Sequence, residues 1–261
     1  AAGDDPSVLA RYLSEGIDMT VADIQALVDG EKHSLKEVKL SARSQLSRDE
    51  FYYVSTLSFD MTDLSIRPSV LPPLILEQLG ELEKTSVGKI SVGISASGDH
   101  DERTVRLDMY VAPKNLGRLD LEIEIGNVPE SLFEGGDQDS IDELMSNFES
   151  LMEVRPTKVL LRFVDDGLVT IGLEQFARQS DLEVSEALEL LANLIRAGSA
   201  TANDPGQIEM GEELIKFVGS PNAVSIVAEP PEPITLNELF EHAMTEPDLL
   251  DDLLGLRLVA Q

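Results

Sequence analysis

Cysteine is absent from this chain. That absence removes disulfides, thiolate catalysis, zinc ribbons and iron–sulfur ligation, and leaves the redox compartment open. Tryptophan is absent too, and aromatic residues make up only 5%, so no stacking platform for bases or sugars is indicated. Basic residues are scarce: 20 Lys and Arg stand against 49 Asp and Glu, giving a formal net charge of −29. Such a surface repels nucleic acid and anionic membranes. Basic proteins and cations remain the charged partners it suits. No apolar run approaches the roughly 20 residues that a membrane-spanning helix needs.

Several catalytic signatures are missing as well. His33, His100 and His242 are scattered and form neither HExxH nor HxxxH, which disfavours a zinc enzyme. The stretch SVGKI lacks the glycine spacing and the Ser/Thr of a P-loop. GISASG is not G-x-S-x-G, and no helix pattern follows it directly. No G-x-G-x-x-G follows a strand pattern. No cofactor is expected.

What is present is apolar periodicity. Hydrophobic residues account for 42% of 261, enough for a substantial core at this length. The pattern predicts an N-terminal helical segment over 1–30 and a single α+β domain over 31–261, β-rich in 31–128 and helix-rich in 129–261. In MTVADIQALVDGE, Val21, Ile24, Leu27 and Val28 share one face of a helix, with Thr20 as N-cap and Gly30 as stop. The period then falls to two. Val38, Leu40 and Ala42 alternate with charged and polar residues. Phe51, Tyr53, Leu57 and Phe59 follow on one face, with SRDE as the intervening turn. Further strands are predicted with Ile90, Val92, Ile94 and Ala96, then Val105, Leu107, Met109 and Val111, then Leu119, Leu121, Ile123 and Ile125. Short polar turns between them make an antiparallel meander.

The second half alternates amphipathic helices with strands. Ser140 with Glu143 and Thr235 with Glu238 form capping boxes. A helix break is expected near Ser180 and Asp181. TKVLLRFVDD, NAVSIVA and LRLVAQ read as strands. The expected fold is α+β: an antiparallel, curved sheet of roughly 7 or 8 strands with helices covering one face.

Four groups of residues are candidates for function. Asp120, Glu122 and Glu124 fall on one side of a strand and face Arg106, Asp108 and Tyr110 of the preceding one. Asp108, Glu122 and Glu124 are the acid/base candidates of a carboxylate-dependent hydrolase. Successive same-face residues lie about 7 Å apart, however, and a charged, solvated face is what antiparallel sheets commonly present. The acidic stretch GGDQDSIDE offers Asp137, Asp139, Asp142 and Glu143 as oxygen ligands for weak cation binding, although the Gly and Glu that an EF-hand requires are replaced by Asp142 and Phe148. GDHDER, with Asp99, His100, Asp101 and Glu102, reads as a hairpin tip with a secondary claim on cations. The greasy stretch VLPPLILEQL, with Val70, Leu71, Leu74, Ile75 and Leu79, is expected to cover the sheet and, with Met109, to line an apolar cavity.

The sequence therefore points to a non-catalytic, acidic protein that binds an apolar, lipid-like ligand or serves as an interaction module of a bacterial envelope. A carboxylate-dependent hydrolase and an acidic partner or decoy for a basic protein are the alternatives. The small residues of AAGDDPS suit a signal-cleavage site, so a periplasmic or secreted location is expected, with the cytoplasm of a salt-adapted organism as the alternative.

Overall fold

The computed structural model describes residues 16–28, 31–49, 52–65, 89–130, 133, 150–201, 205–246 and 249–261. Nine strands make one open antiparallel sheet in which each strand pairs with its sequence neighbours: β1 (Ile17–Val28), β2 (Glu31–Leu46), β3 (Tyr52–Leu64), β4 (Ile90–Asp99), β5 (Thr104–Pro113), β6 (Gly117–Gly126), β7 (Arg155–Asp165), β8 (Ala223–Ala228) and β9 (Arg257–Ala260). The helices among the described residues are α1 (Leu168–Ser180), α2 (Val184–Thr201), α3 (Pro205–Gly219), α4 (Leu236–Thr245) and α5 (Leu250–Leu254). The α+β class holds, with nine strands rather than seven or eight.

The additional strand is β1, where the pattern had predicted a helix. Ile17, Met19 and Val21 alternate with Asp18, Thr20 and Ala22, and they pair with Ala42, Leu40 and Val38 of β2. Past Asp23, which has a left-handed φ of 54°, Ile24 and Leu27 fall on opposite faces of the strand, so with Val21 they imitate a helical spacing. Tertiary pairing decides between the two readings: the β2 partner supplies a ladder of hydrogen bonds that an isolated short helix lacks. β1 is thus bonded to β2 across the boundary expected at residue 30.

Elsewhere the periodicity and the structure agree. The break between α1 and α2 falls at Asp181, whose left-handed φ of 55° caps α1. Asp165 ends β7 and starts α1, because its carboxylate accepts the N–H groups of Gly167 at 3.0 Å and Val169 at 2.9 Å. The turn between β6 and its neighbour needs Gly117, with φ +140° and room for no Cβ against the Val164 carbonyl. The expected Ser140 box and the segment Val70–Leu79 lie outside the described residues.

Among the described residues Val128 and Val154, which flank the β6–β7 connection, are the largest fully buried side chains, and Phe217, Ala223, Ala228 and Ile234 are buried farther along the chain. Phe217 of α3 meets Phe163 of β7 edge to face, with ring centroids 6.0 Å apart. α3 also reaches the sheet edge, where Glu213 Oε2 accepts the Ala260 N–H at 3.0 Å. Helical cover among the described residues is therefore gathered at β7–β9 rather than spread over one whole face.

The capping box on α4 forms as predicted: Thr235 Oγ1 accepts the Glu238 N–H at 3.2 Å, and Glu238 Oε2 accepts the Thr235 N–H at 2.8 Å. Thr235→Ala is expected to lower stability by about 1 kcal/mol in urea unfolding. The Thr235 N–H also holds the Glu238 carboxyl below its ordinary value. A depressed folded-state value stabilises above the unfolded one of about 4.3 and loses that contribution as pH falls through the folded one. The stability difference between wild type and Glu238→Gln should accordingly be present at neutral pH and fade below about pH 4, as denaturant midpoints across that range will show.

Candidate functional site

The registers of the sheet keep one face apolar from edge to edge. One row runs Met19, Leu40, Phe59, Ile94, Met109, Leu121, Leu161, Ile226 and Leu258, one residue from each strand. A second runs Val21, Val38, Met61, Val92, Val111, Leu119, Phe163, Val224 and Ala260. A third joins Ile17, Ala42, Leu57, Ala96, Leu107, Ile123, Val159 and Ala228. No polar side chain interrupts any of the three.

Much of this face stays in contact with solvent. Met19 is 53% exposed, Leu57 48%, Ile94 44% and Leu119 43%. Single exposed aliphatics need no explanation; here exposed ones also stand directly opposite one another, as Val111 and Leu119 do. Met109 lies in the middle of the first row, so it belongs to this surface. Its expected companions Val70, Leu71, Leu74, Ile75 and Leu79 lie outside the described residues, as do Asp137, Asp139, Asp142 and Glu143.

The opposite face carries the acid row. The β5–β6 register sets Arg106 against Glu124, Asp108 against Glu122 and Tyr110 against Asp120. Arg106 serves three carboxylates at once: Nε bonds Asp108 at 3.0 Å, Nη2 bonds Glu122 at 2.9 Å and Nη1 bonds Glu124 at 3.2 Å. Hydrogen bonding to Asp108, with the charges of Glu122 and Glu124 behind it, holds the guanidinium above its ordinary value. Lys158 of β7 donates to Glu122 Oε1 at 2.8 Å, and that bond raises its ammonium likewise. Both oxygens of Glu122 are therefore taken. Arg118 Nε binds Asp120 at 2.7 Å while its guanidinium lies 4.0 Å over the Tyr110 ring.

Beside this network is an open cavity of about 600 Å³ that includes Asp60, Gly93, Tyr110, Arg118, Asp120 and Arg162 in its lining. Tyr110 lies across Gly93, where a Cβ would stand 2.2 Å from its ring. Its hydroxyl donates to Asp60 Oδ1 at 2.9 Å. Burial first, and then Asp60, push the phenol above its ordinary value. Several of the polar groups in its walls are engaged with one another: Tyr110 with Asp60, and Arg118 with Asp120.

The expected apposition of Arg106 with the acid row forms, and Arg106 bonds both Glu122 and Glu124. Arg118, on the strand of the row itself, holds Asp120. Lys89 pairs with Asp63 at 3.6 Å. Lys158 was missed because its strand lies far along the chain; its alternation with Val159 was the available signal. At the tip between β4 and β5, Asp99 accepts the Glu102 N–H at 2.9 Å and Asp101 accepts the Arg48 N–H at 3.0 Å. These carboxylates shape the turn and tie it to the β2–β3 tip. His100 is buried there against Tyr53 and Phe133, with ring centroids 5.6 and 5.4 Å away. Among the described residues no group of three His, Asp or Glu stands where it could hold a metal ion. No helix among them is long and apolar enough to cross a membrane.

Arg106→Met should cost roughly 1 kcal/mol, the scale of a few exposed ion pairs plus the repulsion left among their carboxylates. The loss should shrink at high salt. Glu124→Gln in the same chain should recover part of it in a double-mutant cycle.

A family model described as "Uncharacterized protein" matches residues 110–261. No curated protein matches the chain.

Proposed function

From the premise that the chain belongs to this family, which its second half and more define, we propose that the protein binds an apolar, lipid-like ligand on the uninterrupted apolar face of its sheet. The observation that carries the proposal is the row from Met19 to Leu258, apolar in all nine strands yet half open to water at Met19, Ile94 and Ile226. A folded chain gains about 25 cal/mol for each Å² of apolar surface it removes from water. An acyl chain lying along this face would collect the part that folding leaves unclaimed. A curved sheet would let the face wrap its ligand.

The acid row supports a different role, as the charged back of the same sheet. With Glu122 held by Arg106 and Lys158, a hydrolase built on Asp108, Glu122 and Glu124 has no unengaged pair to work with. The net charge of −29 favours binding of a basic protein as the second reading. The two readings separate by salt: ionic association weakens steeply as salt rises, and apolar binding does not.

Native mass spectrometry of protein purified from its own host, with denaturing analysis of any adduct, is the test. A lipid-sized adduct and uptake of a fluorescent fatty-acid probe are expected. Ile94→Asp and Leu119→Asp, at half-exposed positions, should each abolish uptake while circular dichroism stays unchanged. A bare mass together with no uptake would refute the proposal.

A further inference from the structure

The two edges of the sheet are unlike. β9 is four residues long, and its Ala260 N–H is taken by Glu213 of α3 at 3.0 Å. β1 is twelve residues long, and every side chain from Ile17 to Leu27 is exposed. Edge strands are ordinarily blunted by Lys, Pro or short length, because their unpaired N–H and C=O groups template another strand. β1 contains neither Lys, Arg nor Pro.

We propose that β1 is the docking edge for a second copy of this chain, joined β1 to β1 in antiparallel fashion into one continuous sheet. The sequence of β1 is self-complementary in one register. Centred on Met19, that register sets Met19 against its own copy, Ile17 against Val21, and Asp18 against Thr20. All three apolar residues then stay on the apolar face, since antiparallel partners share a side and a two-fold axis normal to the sheet preserves it. Within Ile17–Val21 no carboxylate opposes a carboxylate, and Asp18 is already held at 2.7 Å by Arg43 of β2, which also donates to the Ile17 carbonyl at 3.3 Å. Centring on Thr20 instead sets Ile17 against Asp23. A one-residue slip puts apolar residues against polar ones. Asp23, with its left-handed φ of 54°, ends the regular run.

Each copy carries the same net charge of −29, so association must work against mutual repulsion. It should strengthen as the screening length shrinks from about 30 Å at 0.01 M salt to about 3 Å at 1 M. Sedimentation velocity across that range is expected to show a monomer at low salt and a dimer at high salt. Met19→Lys should weaken the dimer roughly tenfold or more by placing two ammonium groups face to face, with the urea midpoint little changed.

The chain contains no cysteine, so a single introduced thiol reports the register directly. Opposed Cα atoms in an antiparallel pair lie about 4.5–5.5 Å apart, within disulfide reach. Met19→Cys should cross-link into a dimer on mild oxidation, while Leu27→Cys, beyond the paired run, should not. A monomer at every salt concentration would overturn the proposal, as would equal cross-linking at positions 19 and 27.

Discussion

Register is the constraint on which the rest of this structure depends. A strand shifted by one residue turns every side chain over, and here nine strands are held in phase so that three apolar rows align on one face while the acid row of β6 lies on the other. The phase survives irregularities: the β2–β3 pairing shifts between Arg43 and Ser44, and the β6–β7 pairing between Glu124 and Ile125. Both shifts fall beyond the three apolar rows, which end at the Ala42–Leu57 pair in one place and the Ile123–Val159 pair in the other.

Magnitudes explain why the two faces carry different meanings. Exposed ion pairs contribute about 0.2–1 kcal/mol each, so the Arg106 network fixes register and neutralises its neighbours more than it secures the fold. Complete burial of a Leu or Ile contributes about 1.5–3 kcal/mol. Ile94 and Leu119, each more than two-fifths exposed, forgo much of that. The chain secures its fold where α3 brings Phe217 against Phe163 and where Val128 and Val154 are sealed from water. The same apolar face is thus covered in part by α3 at Phe163 and left partly open at Ile94 and Leu119.

Strands with strict alternation were legible in the sequence. Ile90 to Ala96, Val105 to Val111 and Leu119 to Ile125 fell on the faces their periodicity assigned, and the helix break at Asp181 and the α4 cap formed as expected. β1 was misread because alternation spans only Ile17 to Val21, and beyond Asp23 the apolar residues take both faces. The strand is specified by its partner, and a partner is not visible in a local window. The acid row was legible as a charged face, and Arg106 as its counter-ion. Lys158 reaches Glu122 from β7, and the distance between them along the chain hid the pair. The extent of the apolar face could not be foreseen, because it arises from eight registers acting together.

The neighbour-to-neighbour order of the sheet has a consequence for how the protein is made. Every strand pairs with the one before it, so each new ladder closes only a short or moderate loop, and the entropy of closure stays small. A chain emerging from the ribosome can therefore zip strand upon strand in the order of synthesis. The segments that seal the core, α3 and the strands beside it, emerge last. Until they do, the apolar rows of the first six strands stand open on a nascent chain. Most of the charge imbalance emerges late as well: residues 127–261 hold 27 Asp and Glu against 7 Lys and Arg, so the carboxylate excess joins the nascent chain together with the helices that complete the fold.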